Sequence, residues 1–265
     1  MNHTDSKENR VSVAVIGAGN VATHLSAAMK EAGMCIRQVF NRNGCNAKLL
    51  ADKLGCGYTT NVRDITPDAD VYVFALKDDA LRGVIEEVAD NKGIWLHTAG
   101  SVPAEIFSGQ TERYGVIYPM QTLSKLRKVD FSEVPLFVEG NTSECEDEIC
   151  RIAEMLSGSV RRMGSEKRKH LHLAAVFACN FSNHMYALAA QVLERQEIER
   201  SVLQPLIDET ANKLHHMNAE CAQTGPAVRY DRSVIERHVA MLDDDRMKDI
   251  YKIMSESIHN LIVND

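Results

Sequence analysis

Apolar and polar positions follow two regimes along the 265 residues. Up to about residue 163, short continuous apolar runs alternate with segments of helical periodicity. The runs are VSVAVIG (11–17), MCIRQVF (34–40), DVYVFAL (70–76), GIWLHTA (93–99), YGVIYPM (114–120) and PLFVEG (135–140). Helical patterns lie between several of them, at 20–32, 45–54, 79–90 and 144–157. Apolar runs without alternation mark strands buried on both faces, and the intervening helices are the crossovers of a mostly parallel sheet. The predicted class is therefore α/β, doubly wound. Gly55-Cys56-Gly57-Tyr58 is a candidate for one more short strand.

Past Met163 the strand signals stop. Only Pro205 and Pro226 remain of six prolines, and a long helix is predicted from about Ser165 to Arg195. Further helices are predicted over 201–222, 231–242 and 245–262, with Ser201, Asp231 and Asp245 standing where N-caps belong. The last of these carries Met247, Ile250, Tyr251, Met254, Ile258, Leu261 and Ile262 in one apolar stripe. Residues 1–9, MNHTDSKEN, lack the apolar stretch of a secretion signal. The expected organisation is a disordered lead-in over 1–10, an α/β domain over 11–163 and an all-α domain over 164–265.

One junction carries more than architecture. Gly17-Ala18-Gly19-Asn20-Val21-Ala22 fits GxGxxA between the first apolar run and the first helical pattern. In a dinucleotide site the first glycine makes the turn, the second admits a pyrophosphate to the main chain, and a small third residue lets helix pack on strand. The alternative is a packing turn, but the strand before and the helix after favour the nucleotide. The second run ends at Asn41-Arg42, with no acid to bond a ribose 2′-hydroxyl. A guanidinium there suits a 2′-phosphate, so NADP(H) is expected over NAD(H). The competing reading of Arg42 is an ordinary surface arginine.

Composition narrows the field. Hydrophobic residues make up 45% and charged residues 25%, with a net charge of -7, so the chain can bury a core and offers no basic nucleic-acid footprint. Seven cysteines without CxxC spacing read as free thiols of a reducing compartment. No apolar run is long enough to span a bilayer. A cytoplasmic protein acting on a small molecule, without nucleic-acid or membrane partners, is expected.

The stretches GAGNVATHL (17–25), LHTAGSVP (96–103), YPMQTLSK (118–125), HLAAVFACNFSNHM (172–185) and QTGPAVRYD (223–231) carry a family resemblance. With the glycine turn and the helical second half, the chain resembles the 6-phosphogluconate dehydrogenase-like and pyrroline-5-carboxylate reductase-like NADP oxidoreductases. It is similar in particular to a bacterial branch of Rossmann-like NADP oxidoreductases without an assigned substrate. The resemblance implies a Rossmann domain, a 6-phosphogluconate dehydrogenase C-terminal-like helical domain, and a homodimer built through the latter. Hydroxyacid dehydrogenases of this group carry Lys-xxx-Asn on the first long helix of the second domain. Here Lys167 and Lys169 are followed four residues on by Leu171 and Leu173, so that pair is absent.

Ligands of such folds bind at the carboxyl edge of the sheet. The cofactor set expected there is Gly17, Gly19, Asn20, Val21, Ala22, Asn41, Arg42, Ala75, Leu76, Lys77, Thr98 and Ala99. Substrate contacts are expected from His97, Gly100, Ser101, Gln121, Asn183 and Arg229. His97 reads equally well as a buried strand-end residue, and Arg229 as a solvated loop arginine. On the long helix, His172, Val176, Asn180 and Asn183 share a stripe at α-helical spacing. That stripe either serves helix–helix hydrogen bonds or faces a cleft, where His172 is the candidate proton donor, with Asn180 beside it and Lys169 as runner-up. No metal is expected: His215 and His216 point about 100° apart, and His216 with Glu220 lacks a third ligand. Two functions follow. The first is an NADPH-dependent reductase of a small carbonyl or imine in the interdomain cleft. The second, kept open by the missing Lys-xxx-Asn pair, is a catalytically silent NADP(H)-binding regulator.

Overall fold

The computed structural model describes residues 10–263, so the predicted lead-in lies outside the described residues but for Arg10. The chain forms two compact units, divided between Val176 and Phe177. The first holds eight strands: β1 (Ser12–Ile16), β2 (Cys35–Phe40), β3 (Gly57–Thr59), β4 (Val71–Phe74), β5 (Ile94–His97), β6 (Tyr114–Pro119), β7 (Leu136–Gly140) and β8 (Val160–Arg162). They make one sheet in the order β3-β2-β1-β4-β5-β6-β7-β8. Every pair is parallel except β6 with β7. The strand order reverses between β1 and β4, which makes their carboxyl ends the switch point of the sheet.

Five helices complete this unit: α1 (Asn20–Glu31), α2 (Gly44–Leu54), α3 (Asp78–Ile85), α4 (Ser143–Glu154) and α5 (Ser165–Ala175). Side-chain alternation sorts the core into two layers. Val13 and Val15 of β1 pack with Leu25, Met29, Leu50 and Ile149 on one face. Ala14 and Ile16 pack with Tyr72, Phe74, Leu81, Trp95 and Phe107 on the other. Both faces are thus covered, as the apolar runs require. The short strand foreseen near Gly55 is β3. β8 was not foreseen, because this edge strand exposes Arg161 and Arg162 and shows no apolar run. α3 stops at Ile85, short of the predicted 79–90.

The second unit is helical: α6 (Ser182–Glu194), a 3-10 turn over Arg200–Leu203, α7 (Gln204–Lys213), α8 (Ala219–Ala222), α9 (Arg232–Ala240) and α10 (Asp245–Val263). Four expectations need correcting. The helix predicted over 201–222 is broken between α7 and α8. The single helix over 165–195 is interrupted by a π-helical segment at Val176–Phe181. Ser201 lies inside the 3-10 turn, and α7 begins at Gln204 with Pro205 in its first turn, where the ring's fixed φ suits helix entry. α10 takes its cap from Asp244, whose Oδ1 accepts from the Met247 amide at 2.8 Å. Asp231 does cap α9, accepting from the Val234 amide at 3.2 Å.

Candidate functional site

The glycine turn is built into the sheet's switch point. Gly17 has φ +120, in the region that L side chains avoid. Its amide donates to the Phe40 carbonyl at 2.7 Å. A Cβ on Gly17 would stand 2.3 Å from the Ala75 carbonyl oxygen. Only glycine fits between β2 and β4. Gly19 is different: its backbone is extended, and a Cβ there would meet nothing within 4 Å. It precedes α1 with no side-chain cap and no acid in the first helical turn. The first-turn N–H groups of α1 thus have no side-chain cap, and the positive end of the helix dipole lies behind them. Ala22, buried in the core, permits the close packing of α1 on the sheet.

The end of β2 is shaped by asparagines. The Asn41 amide donates to the Thr59 carbonyl at 3.2 Å, and its side chain donates to the Asn43 carbonyl at 3.0 Å. Asn43 caps α2 by accepting from the Asn46 amide at 3.0 Å. Arg42 projects between them, exposed, with no ion pair among the described residues. At the end of β4, Ala75 lies under Gly17, Leu76 is half-buried, and Lys77 is exposed at the start of α3.

The loop after β5 is held from inside. His97 is fully buried, and burial, assisted by the Arg168 charge, pushes its pKa down to about 3. The neutral ring accepts from the Ala99 amide at Nδ1 (3.2 Å) and donates from Nε2 to the Pro103 carbonyl (3.3 Å). Neither ring nitrogen is left for a substrate; His97 shapes the loop instead. Thr98, Ala99 and Gly100 are buried, while the exposed Ser101 donates its hydroxyl to Asp78 at the start of α3.

A second post is Arg168, read in the sequence only as the residue between two lysines. Its fully buried guanidinium pairs with Glu139 of β7 and donates to the Val102 carbonyl (2.5 Å) and the Ser165 hydroxyl (3.2 Å). Ser165 donates its own amide to Glu139 at 2.9 Å. The start of α5 is thereby tied to β7 and to the loop after β5. Breaking such a buried pair by removing one partner leaves an uncompensated charge.

One helical turn beyond Arg168 stands His172. Its Nδ1 lies 3.0 Å from the Tyr118 hydroxyl, with the rings nearly perpendicular at 74°. A Cβ on Gly100 would lie 2.6 Å from the same Nδ1, so the imidazole rests directly on the Gly100 backbone. Burial pushes the Tyr118 phenol up, with the Arg168 charge opposing. Tyr118 was not among the expected site residues. Its signal was its place at the carboxyl end of β6.

Lys169 is bonded to Glu166 at 2.7 Å on its own helix. Gln121 is exposed and accepts from the Thr122 amide at 2.8 Å. Asn180, Asn183 and Arg229 belong to the second unit and are exposed there. The π segment also shifts the phase between His172 and Asn180, since i→i+5 bonding adds a residue per turn.

Residues 1–120 match the family model of a Rossmann-like domain, and residues 134–258 match a domain of unknown function, DUF2520. A Bacteroides fragilis protein provisionally named an NADP oxidoreductase is 45% identical, over 95% of this chain and 98% of that one, with a TM-score of 0.89. The chain belongs to the same family as that Bacteroides protein. A second structure, from Thermotoga maritima, is 22% identical over 95% and 98% of the two chains, with a TM-score of 0.67. An Aspergillus terreus reductive aminase in complex with NADPH and ethyl-5-oxohexanoate shares the fold at a TM-score of 0.71, with 14% identity over 97% and 93%. No protein of curated function matches. In this family member, the glycine turn and the Tyr118–His172 pair stand on one sheet edge, because β1, β4, β5 and β6 run parallel.

Proposed function

We propose that the protein is an NADP(H)-dependent oxidoreductase that reduces a small carbonyl or imine compound. The observation that carries this reading is the pairing, on one edge of the sheet, of an anion-ready glycine turn with a tyrosine–histidine proton donor. The residues present fit the dinucleotide: Gly19 leaves the main chain open, α1 has no acid in its first turn, and Arg42 makes no ion pair among the described residues. The amides of Asn20, Val21 and Ala22 would hold the pyrophosphate, Arg42 and Asn41 the 2′-phosphate end, and the 75–77 and 98–99 segments the remainder. The names of the Bacteroides and Aspergillus proteins support the cofactor.

When bound, NADPH supplies the hydride. The protein's own part is the proton. His172 would donate from Nε2 to the substrate oxygen or nitrogen, and Nδ1 would take the Tyr118 proton. The phenolate left behind lies within the favourable field of Arg168 until solvent returns its proton. Gly100 leaves room for the imidazole, and the loop braced by His97 and Arg168 holds it in place.

The second unit supports self-association. Among its described residues only Ala227, Met247 and Ser255 are buried, whereas Phe177, Leu206, Leu214, Met241, Ile253 and Leu261 are exposed. An apolar cavity of about 520 Å³ opens among Met185, Leu193, Pro226, Met254 and Ile258. A homodimer through these helices would cover that surface.

The test is a screen of carbonyl and imine compounds for NADPH oxidation. For any compound turned over, His172→Ala and Tyr118→Phe should each lower turnover by about 10²-fold while NADPH affinity holds. Unchanged turnover in both variants refutes the proton relay. NADPH binding without turnover of any compound would leave a nucleotide-binding regulator in place of an enzyme.

A further inference from the structure

Two of the stretches that carry the family resemblance, GAGNVATHL and YPMQTLSK, meet in the folded first unit although about a hundred residues separate them. The connection from β6 to β7 lies along α1. His24 donates from Nε2 to the Ser124 carbonyl at 2.9 Å. Lys125 then reaches the glycine turn, its ammonium donating to the Ala18 carbonyl at 2.7 Å. Further along, Lys128 pairs with Glu31 at the other end of α1, at 3.6 Å. The connection is thus anchored to the helix at three places, and its middle anchor delivers a cation to the mouth of the cofactor turn.

That placement is unfavourable by itself. The amino end of a helix repels cations, and Lys125 stands beside it. No carboxylate neutralises it: it makes no ion pair among the described residues, and α1 has no acid in its first turn. The Ala18 carbonyl takes one of three ammonium protons, which leaves two donors. An anion seated over Gly19 would turn the repulsion between ammonium and helix end into joint attraction. We propose that Lys125 is a ligand of the dinucleotide's pyrophosphate, the cationic arm of the cofactor site, held in place by His24. This rests on the NADP(H) reading above and adds a residue from a different part of the chain. It also divides the labour: Arg42 reads the 2′-phosphate, whereas Lys125 binds the group that NADPH and NADH share.

Titration of the full-length protein with NADPH, NADH and adenosine 2′-monophosphate separates these roles. Lys125→Ala should weaken NADPH and NADH alike by about tenfold, the scale of one charge-assisted hydrogen bond. It should leave adenosine 2′-monophosphate, which lacks the pyrophosphate, unchanged. Lys125→Arg should retain most of the affinity. Without nucleotide, Lys125→Ala should melt at or above the wild-type temperature, because a cation has left the positive helix end. His24→Ala should weaken both dinucleotides less than Lys125→Ala does. A Lys125→Ala protein that melts lower but binds NADPH as the wild type does would make Lys125 a loop fastener and overturn the proposal. Equal weakening of all three ligands would overturn it as well. A folded wild type that binds neither dinucleotide would remove the cofactor reading itself, and Lys125's role with it.

Discussion

Gly17 and Gly19 are two residues apart in one motif, yet the structure assigns them opposite sensitivities. Gly17→Ala places a methyl 2.3 Å from the Ala75 carbonyl oxygen, against 3.4 Å or more for an ordinary contact. That oxygen cannot retreat freely, because the Ala75 amide is bonded to the Ile16 carbonyl at 2.8 Å within the sheet. Overpacking of this kind costs about 1–3 kcal/mol, and an alanine held at a left-handed φ costs about 1–3 kcal/mol more. The total of roughly 2–6 kcal/mol is a large share of a typical stability of about 5–15 kcal/mol. At roughly 2–4 °C per kcal/mol, the melting temperature should fall by roughly 5–20 °C. A Cβ at Gly19 meets no neighbour within 4 Å, and Gly19→Val loses only about 1 kcal/mol of N-cap preference. It should melt within about 4 °C of the wild type. Its branched side chain nevertheless fills the space over α1 and should weaken NADPH by at least about tenfold. Circular dichroism melts and NADPH titration on the same preparations decide the matter. A Gly17→Ala protein as stable as the wild type, or a Gly19→Val protein that binds NADPH normally, refutes the reasoning.

Three further outcomes are expected. Arg42→Asp should erase a preference for NADPH over NADH of at least about tenfold, the scale of one charge-assisted pair; equal wild-type affinities by calorimetry would remove the preference altogether. His97 has a folded pKa of about 3 against the ordinary 6.5 of an imidazole, so it contributes stability above pH 6.5 that is lost as pH falls toward 3. About 2 kcal/mol should be gone by pH 5, and His97→Gln should flatten that part of a denaturant-midpoint profile. Light scattering should report a dimer at micromolar concentration; a mass near 29.5 kDa would refute it.

The strands of the first unit were legible where burial on both faces left a continuous apolar run, as in β1, β4 and β5. β8 was not, because pairing at the sheet's edge asks only for backbone and tolerates Arg161 and Arg162. Helix phase beyond His172 was misjudged for a related reason: the π segment at Val176–Phe181 is a backbone choice that 3.6-residue counting cannot anticipate. The roles of Tyr118 and Arg168 were not read from the sequence because they are pairings. The partners of Arg168 are Glu139 and Val102, 29 and 66 residues away, and Tyr118 finds His172 across 54.

What the amino-acid sequence determined by itself is local or periodic: buried strands, helical stripes, and a strand-to-helix turn needing glycine where φ is +120. These follow from sterics within a few residues and from the alternation of faces. What only the tertiary structure decided is which side chains share a place. The imidazole of His172 rests on Gly100 and bonds Tyr118, and Lys125 reaches Ala18, because parallel crossovers bring strand ends and connections that are distant in the chain onto one edge of the sheet. A contact between residues 54 or 107 apart is set by the packing of whole elements, and no short stretch of sequence encodes it.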